Sequence, residues 1–231
     1  MYKIKIQFIL LVLIMSLPIA VQAQDWPNLQ KFQEANAEVL KTKNLESRVV
    51  FMGNSITEGW SNANPAFFTD NPYINRGISG QTTPQMLLRF RQDVIDLHPK
   101  AVVILAGTND IAGNTGPMTL EQIRDNILSM VQLAKASEVH PIVCSVLPAY
   151  DYPWRPGLQP NIKIPKLNQL LKEMVTEQNV TYLDYFSTMA DERNGLSKAY
   201  TTDEVHVTKE GYAVMEKLVN KAITQVIQNE N

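Results

Sequence analysis

Five short apolar stretches, set among segments of helical periodicity, constrain this chain more than any other feature. The clearest is AVVILA at residues 101–106. A run with no polar break has no face to give to water, so it reads as a strand covered on both sides of its sheet. Residues 49–52 (VVFM), 142–147 and 180–183 repeat the pattern, and residues 73–75 (YIN) carry it more faintly. Leu29, Phe32, Val39 and Leu40 predict an amphipathic leading helix over residues 28–41. Thr83 reads as an N-cap with Pro84 at the first helical position, and Leu87, Phe90, Val94 and Leu97 mark the face that follows. Leu120, Ile123, Ile127 and Val131 mark a further helix; Leu167, Leu170, Leu171, Met174 and Val175 mark another. The strongest stripe closes the chain with Met215, Leu218, Val219, Ala222, Ile223 and Val226.

Strands alternating with helices imply βαβ units and a mostly parallel sheet with helices on both faces. Ligands meet such sheets at the carboxyl ends of the strands. The loops to inspect therefore start near Gly53, Arg76, Gly107, Pro148 and Tyr185. The chain has 231 residues, 45% of them hydrophobic, enough for one well-buried core. No repeat or low-complexity linker divides it, so a single domain is expected over residues 24–231. The net charge is −2, without the basic surplus that nucleic acid would require of a partner. Cys144 is the sole cysteine, which excludes an intrachain disulfide and a multi-cysteine metal site. It lies in an apolar run, as a core thiol would.

The first 23 residues differ from the rest. Lys3 and Lys5 precede an apolar run at residues 8–15, extended by Leu17, Ile19 and Ala20 and followed by Val21-Gln22-Ala23. This is the three-part pattern of a secretory signal peptide. The run is shorter than the roughly 20 residues that span a bilayer. Cleavage near Ala23 is therefore expected in preference to an anchor. No cysteine follows the run, so lipid attachment is not expected. The mature protein is expected in the periplasm or outside the cell, with no stable membrane insertion.

Four segments carry side chains suited to chemistry. The first strand runs into Gly53-Asn54-Ser55-Ile56-Thr57. A serine just past a buried strand can present its hydroxyl at the sheet edge, where a base must activate it. Taken alone, the segment favours Ser55 as the cap of the next helix. It is not G-x-S-x-G, so the nucleophile elbow of α/β-hydrolases is absent. The second segment, Gly77-Ile78-Ser79-Gly80, can turn a backbone N–H outward toward an oxyanion, or simply make a tight turn. The third ends Gly107-Thr108-Asn109-Asp110, where the Asn109 carboxamide can reach over the edge or serve the local turn. The fourth, Asp203-Glu204-Val205-His206, puts a carboxylate and an imidazole three residues apart, able to hydrogen-bond within one turn. His98 and His140 each precede a proline at a strand entrance, on the opposite edge. A nucleophile, a base, an orienting acid and oxyanion donors complete the set for acyl transfer.

In this order the segments resemble the GDSL/SGNH hydrolase superfamily: GNSIT, ISGQTT, GTND and DEVH, across residues 46–228. The resemblance implies a three-layer α/β/α, flavodoxin-like sandwich with about five parallel strands, the SGNH hydrolase fold. It implies Ser55 as nucleophile, His206 as base and Asp203 as its orienter. It implies an oxyanion hole from the backbone N–H groups of Ser55 and Gly80 and the side chain of Asn109, with no metal and no organic cofactor. Asn54 departs from the family, standing where the signature has Asp; it keeps an acceptor oxygen and loses a charge, which predicts tuning rather than loss. The stretch at residues 50–60 (VFMGNSITEGW) is similar to exported esterases of gut-type Bacteroidetes, often linked to carbohydrate deacetylation.

The expected activity is a serine esterase acting on short acyl esters, acetyl foremost, of a small molecule or glycan. Tyr150, Tyr152 and Trp154 lie in a stretch, residues 148–160, that should overhang the site. With Trp60 or Phe67 joining them, they are the expected substrate contacts; ordinary loop packing is the alternative. A lysophospholipase or thioesterase would use the same aromatics as an acyl groove. A non-catalytic glycan-binding protein would need a broken triad, and no expected residue is missing.

Overall fold

The five apolar stretches form β1 (Val49–Gly53), β2 (Tyr73–Gly77), β3 (Ala101–Leu105), β4 (His140–Cys144) and β5 (Thr181–Leu183). The computed structural model describes residues 24–42 and 47–228. The expected signal peptide, residues 1–23, lies outside the described residues. The strands pair in parallel in the order β2-β1-β3-β4-β5. Gly53 pairs with Gly77 on one side and Leu105 on the other, so three carboxyl ends finish level. From β1 the chain goes first to one neighbour and then to the other. Its crossovers therefore cover opposite faces, and a crevice opens at the ends of β1 and β3.

Alternation along each strand divides the core in two. Val50, Met52, Val102, Ile104 and Val143 pack on one face against α4 (Thr83–Asp93), α6 (Leu120–Ala136) and α7 (Pro160–Gln178). Val49, Phe51, Val103, Leu105 and Ile142 pack on the other against α2 (Ser55–Ala63), α3 (Pro65–Thr69) and α9 (Lys209–Gln228). Burying each such side chain contributes about 1.5–3 kcal/mol, so both layers hold the sheet. This is the three-layer α/β/α arrangement of the SGNH fold. Cys144 lies in the second cluster, where burial pushes its thiol pKa up and keeps it protonated.

Strand ends shift by a residue or two, and three further boundaries differ from expectation. The leading helix is shorter, α1 at Gln33–Lys41. The Asp25 carboxylate accepts the N–H groups of Leu29 (2.8 Å) and Gln30 (3.0 Å), and Asn28 sits at φ +58°, so a separate turn comes first. The cap of α4 is Thr82 rather than Thr83: the Gln85 carboxamide oxygen accepts the Thr82 N–H at 3.1 Å, completing a capping box. Finally, β4 begins at His140 and ends at Cys144. The next residue, Ser145, turns its hydroxyl to accept the N–H groups of Tyr185 and Phe186, both at 2.9 Å. Among the described residues, no helix is long and apolar enough to cross a membrane.

Candidate active site

The turn after β1 has almost no slack. A Cβ on Gly53 would lie 1.9 Å from Thr57 Oγ1, so any side chain there would force β1 and α2 apart. Asn54 is the cap of α2, its carboxamide oxygen accepting the Ile56 N–H at 3.4 Å. Ser55 is therefore the first helical residue and not the cap. Its N–H, in the first turn, has no intrahelical carbonyl to bond. Its Oγ lies 3.1 Å from His206 Nε2.

On the far side of the ring, His206 Nδ1 is 2.6 Å from Asp203 Oδ2. An ionised carboxylate only accepts, so Nδ1 carries the proton and Nε2 is left as the acceptor facing Ser55. Asp203 Oδ1 meanwhile accepts the N–H groups of Val205 (2.9 Å) and His206 (2.7 Å), which closes the turn around its own side chain. Burial raises the Asp203 carboxyl, but the bonds from the His206 ring and these N–H groups outweigh it and hold the pKa below the ordinary value. A hydroxyl, a ring and a carboxylate in this line can move a proton off the oxygen.

Gly80 and Asn109 follow β2 and β3, the strands on either side of β1. Gly80 adopts φ +76°, which strains any residue with a Cβ, although space is open around it. Its carbonyl accepts from Asn114 Nδ2 at 3.1 Å. Asn109, buried after β3, donates one amide hydrogen to Gln81 O at 2.9 Å. A carboxamide has two such hydrogens, so one remains. Next to it, Asp110 Oδ1 accepts from Thr83 N (2.8 Å) and Oγ1 (2.6 Å), while Oδ2 is buried without a partner among the described residues. Burial pushes the Asp110 carboxyl up to about 6, against the Thr83 bonds.

Beneath the Gly80 loop lies a network that sequence reasoning did not find. The Arg89 guanidinium is fully buried and donates to Gly53 O (3.1 Å), Arg76 O (2.9 Å), Gln81 Oε1 (2.6 Å) and Asp93 Oδ2 (3.1 Å). Asn36 of α1 joins it, donating to Asp93 Oδ1 at 2.8 Å and accepting from Arg76 Nε at 2.8 Å. The Arg76 guanidinium also lies 4.7 Å over the Phe32 ring. Burial pulls the Arg76 pKa down to about 10 and lowers that of Arg89, against the raising effect of Asp93 on both. The available signal was two opposite charges four apart, at positions flanking Phe90 on a helix with a buried face.

The expected substrate contacts divide. Trp60 is a correction: it is buried, stacked 5.0 Å from Phe67 and 5.3 Å from Tyr212, with its N–H on Glu216 at 3.0 Å. Trp60 stands four residues after the buried Ile56, on the core face of α2, and Phe67 is core with it. Tyr152 is a second correction. Its ring is buried, and its hydroxyl lies 2.9 Å from Thr108 Oγ1 and donates to Thr108 O at 3.0 Å. Trp154 stays exposed, stacked on Tyr152 at 5.2 Å and 6.2 Å from the His206 ring. Tyr150 is exposed too, beneath the Arg193 guanidinium at 4.5 Å. His98 and His140 stand at the opposite edge of the sheet, before β3 and at the start of β4. Among the described residues, no three His, Cys, Asp or Glu side chains gather as a metal would need.

A parallel α/β/α sandwich with this hydrogen-bonded line at its switch point is the framework of a carboxylic ester hydrolase. The chain belongs to the GDSL-like lipase/acylhydrolase family, whose model matches residues 51–214. It is 48% identical to a candidate acylhydrolase from Bacteroides fragilis, covering 89% of this chain and 100% of that one, with a TM-score of 0.85. A GDSL-like lipase from Bacteroides thetaiotaomicron is 45% identical over 86% of this chain and 98% of that one, TM-score 0.83. An acetyl xylan esterase, 17% identical over 76% of this chain and 98% of that one, shares the fold at a TM-score of 0.63. A shorter likeness, 33% identity over 81 residues, links it to an uncharacterised lipoprotein of Bacillus subtilis. The chain spans about a third of the length of that curated relative, 33%.

Proposed function

We propose that this chain is an exported serine esterase that removes short acyl groups, acetyl foremost, from carbohydrate. Residues 1–23 serve as its signal peptide and residues 24–231 as its one domain. The observation that carries the reading is the line from Ser55 Oγ to His206 Nε2 (3.1 Å) and from His206 Nδ1 to Asp203 (2.6 Å). His206 Nε2 takes the Ser55 proton as the oxygen attacks the acyl carbon. The carbonyl electrons move onto the former carbonyl oxygen, which is held by the N–H groups of Ser55 and Gly80 and by Asn109. As that oxygen re-forms its double bond, the bond to the alcohol breaks, and His206 returns the proton to the leaving oxygen. Water repeats the sequence to free the acid. Asp203 keeps the ring in the accepting tautomer and stabilises the imidazolium.

Trp154 supports carbohydrate as the alcohol half. An exposed indole beside the ring that protonates the leaving group offers a flat apolar surface to a sugar, whose own faces are apolar. Tyr150 extends that side. Asn54 retains the cap of α2, which supports tuning rather than loss where the signature Asp is missing.

A series of nitrophenyl esters of rising chain length tests the reading. Turnover should fall steeply beyond butyryl, and Ser55→Ala should lower kcat by about 10⁶. A maximum at octanoyl or longer overturns the short-acyl assignment, and a fully active Ser55→Ala protein overturns the nucleophile.

A further inference from the structure

Of the chain's three tryptophans, Trp60 is buried, while Trp26 and Trp154 are 42% and 47% exposed. A concave pocket lined by an aromatic ring and a few placed polar groups is the usual make-up of a ligand site. Trp154 stands beside His206. Trp26 stands on the other flank, lining a cavity of about 400 Å³ whose floor includes Ser79, Gly80 and Gln81.

The segment that presents Trp26 is fastened. Gln85 Nε2 donates to Trp26 O at 2.8 Å, Gln81 Nε2 to Pro27 O at 2.8 Å, and Gln92 Nε2 to Leu29 O at 2.6 Å. These residues precede position 51, where the match to the family model begins. The strap thus adds a wall to a site whose reactive loops come from elsewhere.

The lining indicates the ligand. Besides Trp26 it carries the carboxamides of Asn28, Gln85 and Asn114 and the hydroxyls of Ser79 and Thr115. Gln85 is held by Thr82 and Trp26 O, Ser79 by Glu58 and Thr115 by Thr82, so among the described residues the Asn28 carboxamide and the Asn114 carboxamide oxygen are the polar groups left for a ligand. Among the described residues, none lining it is a cation, so a phosphate or carboxylate finds no counter-charge. Its one acid, Asp25, already accepts two backbone N–H groups. Polar groups outnumber apolar ones, which disfavours an acyl chain. A neutral ligand rich in hydroxyls, with one apolar face for the indole, fits this set.

We propose that this cavity is a saccharide subsite, holding sugar units of an acylated oligosaccharide beyond the unit whose ester reaches Ser55. The proposal rests on the serine-esterase reading, because that reading makes Gly80 both oxyanion donor and cavity floor.

Two measurements on the full chain test it. The first compares wild type, Trp26→Ala and Trp26→Phe on acetylated tetrasaccharides of xylan, cellulose and chitin, and on nitrophenyl acetate. Trp26→Ala should raise KM for an acetylated tetrasaccharide about 10-fold relative to its effect on nitrophenyl acetate, with Trp26→Phe recovering most of it. Equal losses on both substrates would overturn the subsite. The second measures calorimetric binding of the deacetylated tetrasaccharides to the Ser55→Ala protein. Binding that weakens about 10-fold on adding Trp26→Ala supports the proposal without any turnover. Failure of every tetrasaccharide to bind overturns it. Loss of esterase activity on all esters, with Trp26-dependent binding intact, would instead remove the catalytic reading.

Discussion

The side chains of Arg89 and Asp93 are fully buried, whereas those of Asp203 and His206 are 41% and 47% exposed. Both are pairs of opposite charge or charge-to-be on one short stretch of chain, and both serve the same crevice. The first pair sits in a dry interior, where each nitrogen of the Arg89 cation donates to a carbonyl, a carboxamide or a carboxylate. Removing one partner there strands a charge. The second pair stands in water, where an ion pair adds little to stability. On the proposed reading, its geometry is useful only when Ser55 must give up a proton. On that reading one site has a foundation that governs folding and a lever that governs turnover, and variants should separate the two.

Within the two pairs, Asp203→Asn should produce the largest effect. The amide oxygen can still accept the Val205 and His206 N–H groups, but the amide nitrogen cannot accept from His206 Nδ1. The ring then favours the wrong tautomer, and kcat should fall by about 10⁴. Thermal unfolding should barely move; a large drop in melting temperature would break the comparison. Arg89→Met comes next. It leaves Asp93 and the carbonyls of Gly53 and Arg76 without their donor, at a cost of about 3–5 kcal/mol. Denaturant midpoints would measure it, and a variant as stable as wild type would show that the foundation is not one.

Asp110→Asn gives the smallest effect and sharpens the contrast through pH. The Asp110 carboxyl is raised to about 6 by burial, so the folded state holds its proton more tightly than the unfolded chain does. Stability from this group grows as pH falls from about 6 toward about 4, the ordinary carboxyl value, and is absent above that window. Asp203 has the opposite sign. Its pKa is lowered, so its contribution is present above about 4 and is lost below. Asp110→Asn should remove a gain of about 2–3 kcal/mol between pH 6 and pH 4. The difference in unfolding free energy between the two proteins should stay constant above about pH 7 and change by that amount between about pH 6 and pH 4. Parallel curves would count against a titrating Asp110.

Much of this was legible from apolar spacing. AVVILA had to be an interior strand, and five such stretches among helices left few topologies. The ends of strands then named the loops holding Ser55, Gly80 and Asn109. The foundation was not legible, because a charged residue on a helix ordinarily faces water, and Arg89 and Asp93 do not. Aromatic rings misled for a related reason. Trp60 and Trp154 both follow strand ends, yet Trp60 repeats Ile56 one helical turn later and turns inward, whereas Trp154 lies in a loop with no period to fix its side. Tyr152 is buried because its hydroxyl has Thr108 to satisfy it, a partner 44 positions away.

Gln81 touches three regions at once. Its carbonyl receives Asn109, its side-chain oxygen receives Arg89, and its side-chain nitrogen reaches Pro27 O. Boundaries drawn by the family model begin at residue 51 and would discard the last of these anchors together with Asn36. The smallest unit able to work is thus longer than the smallest unit able to be recognised, and anyone trimming this chain should start the cut ahead of Asp25.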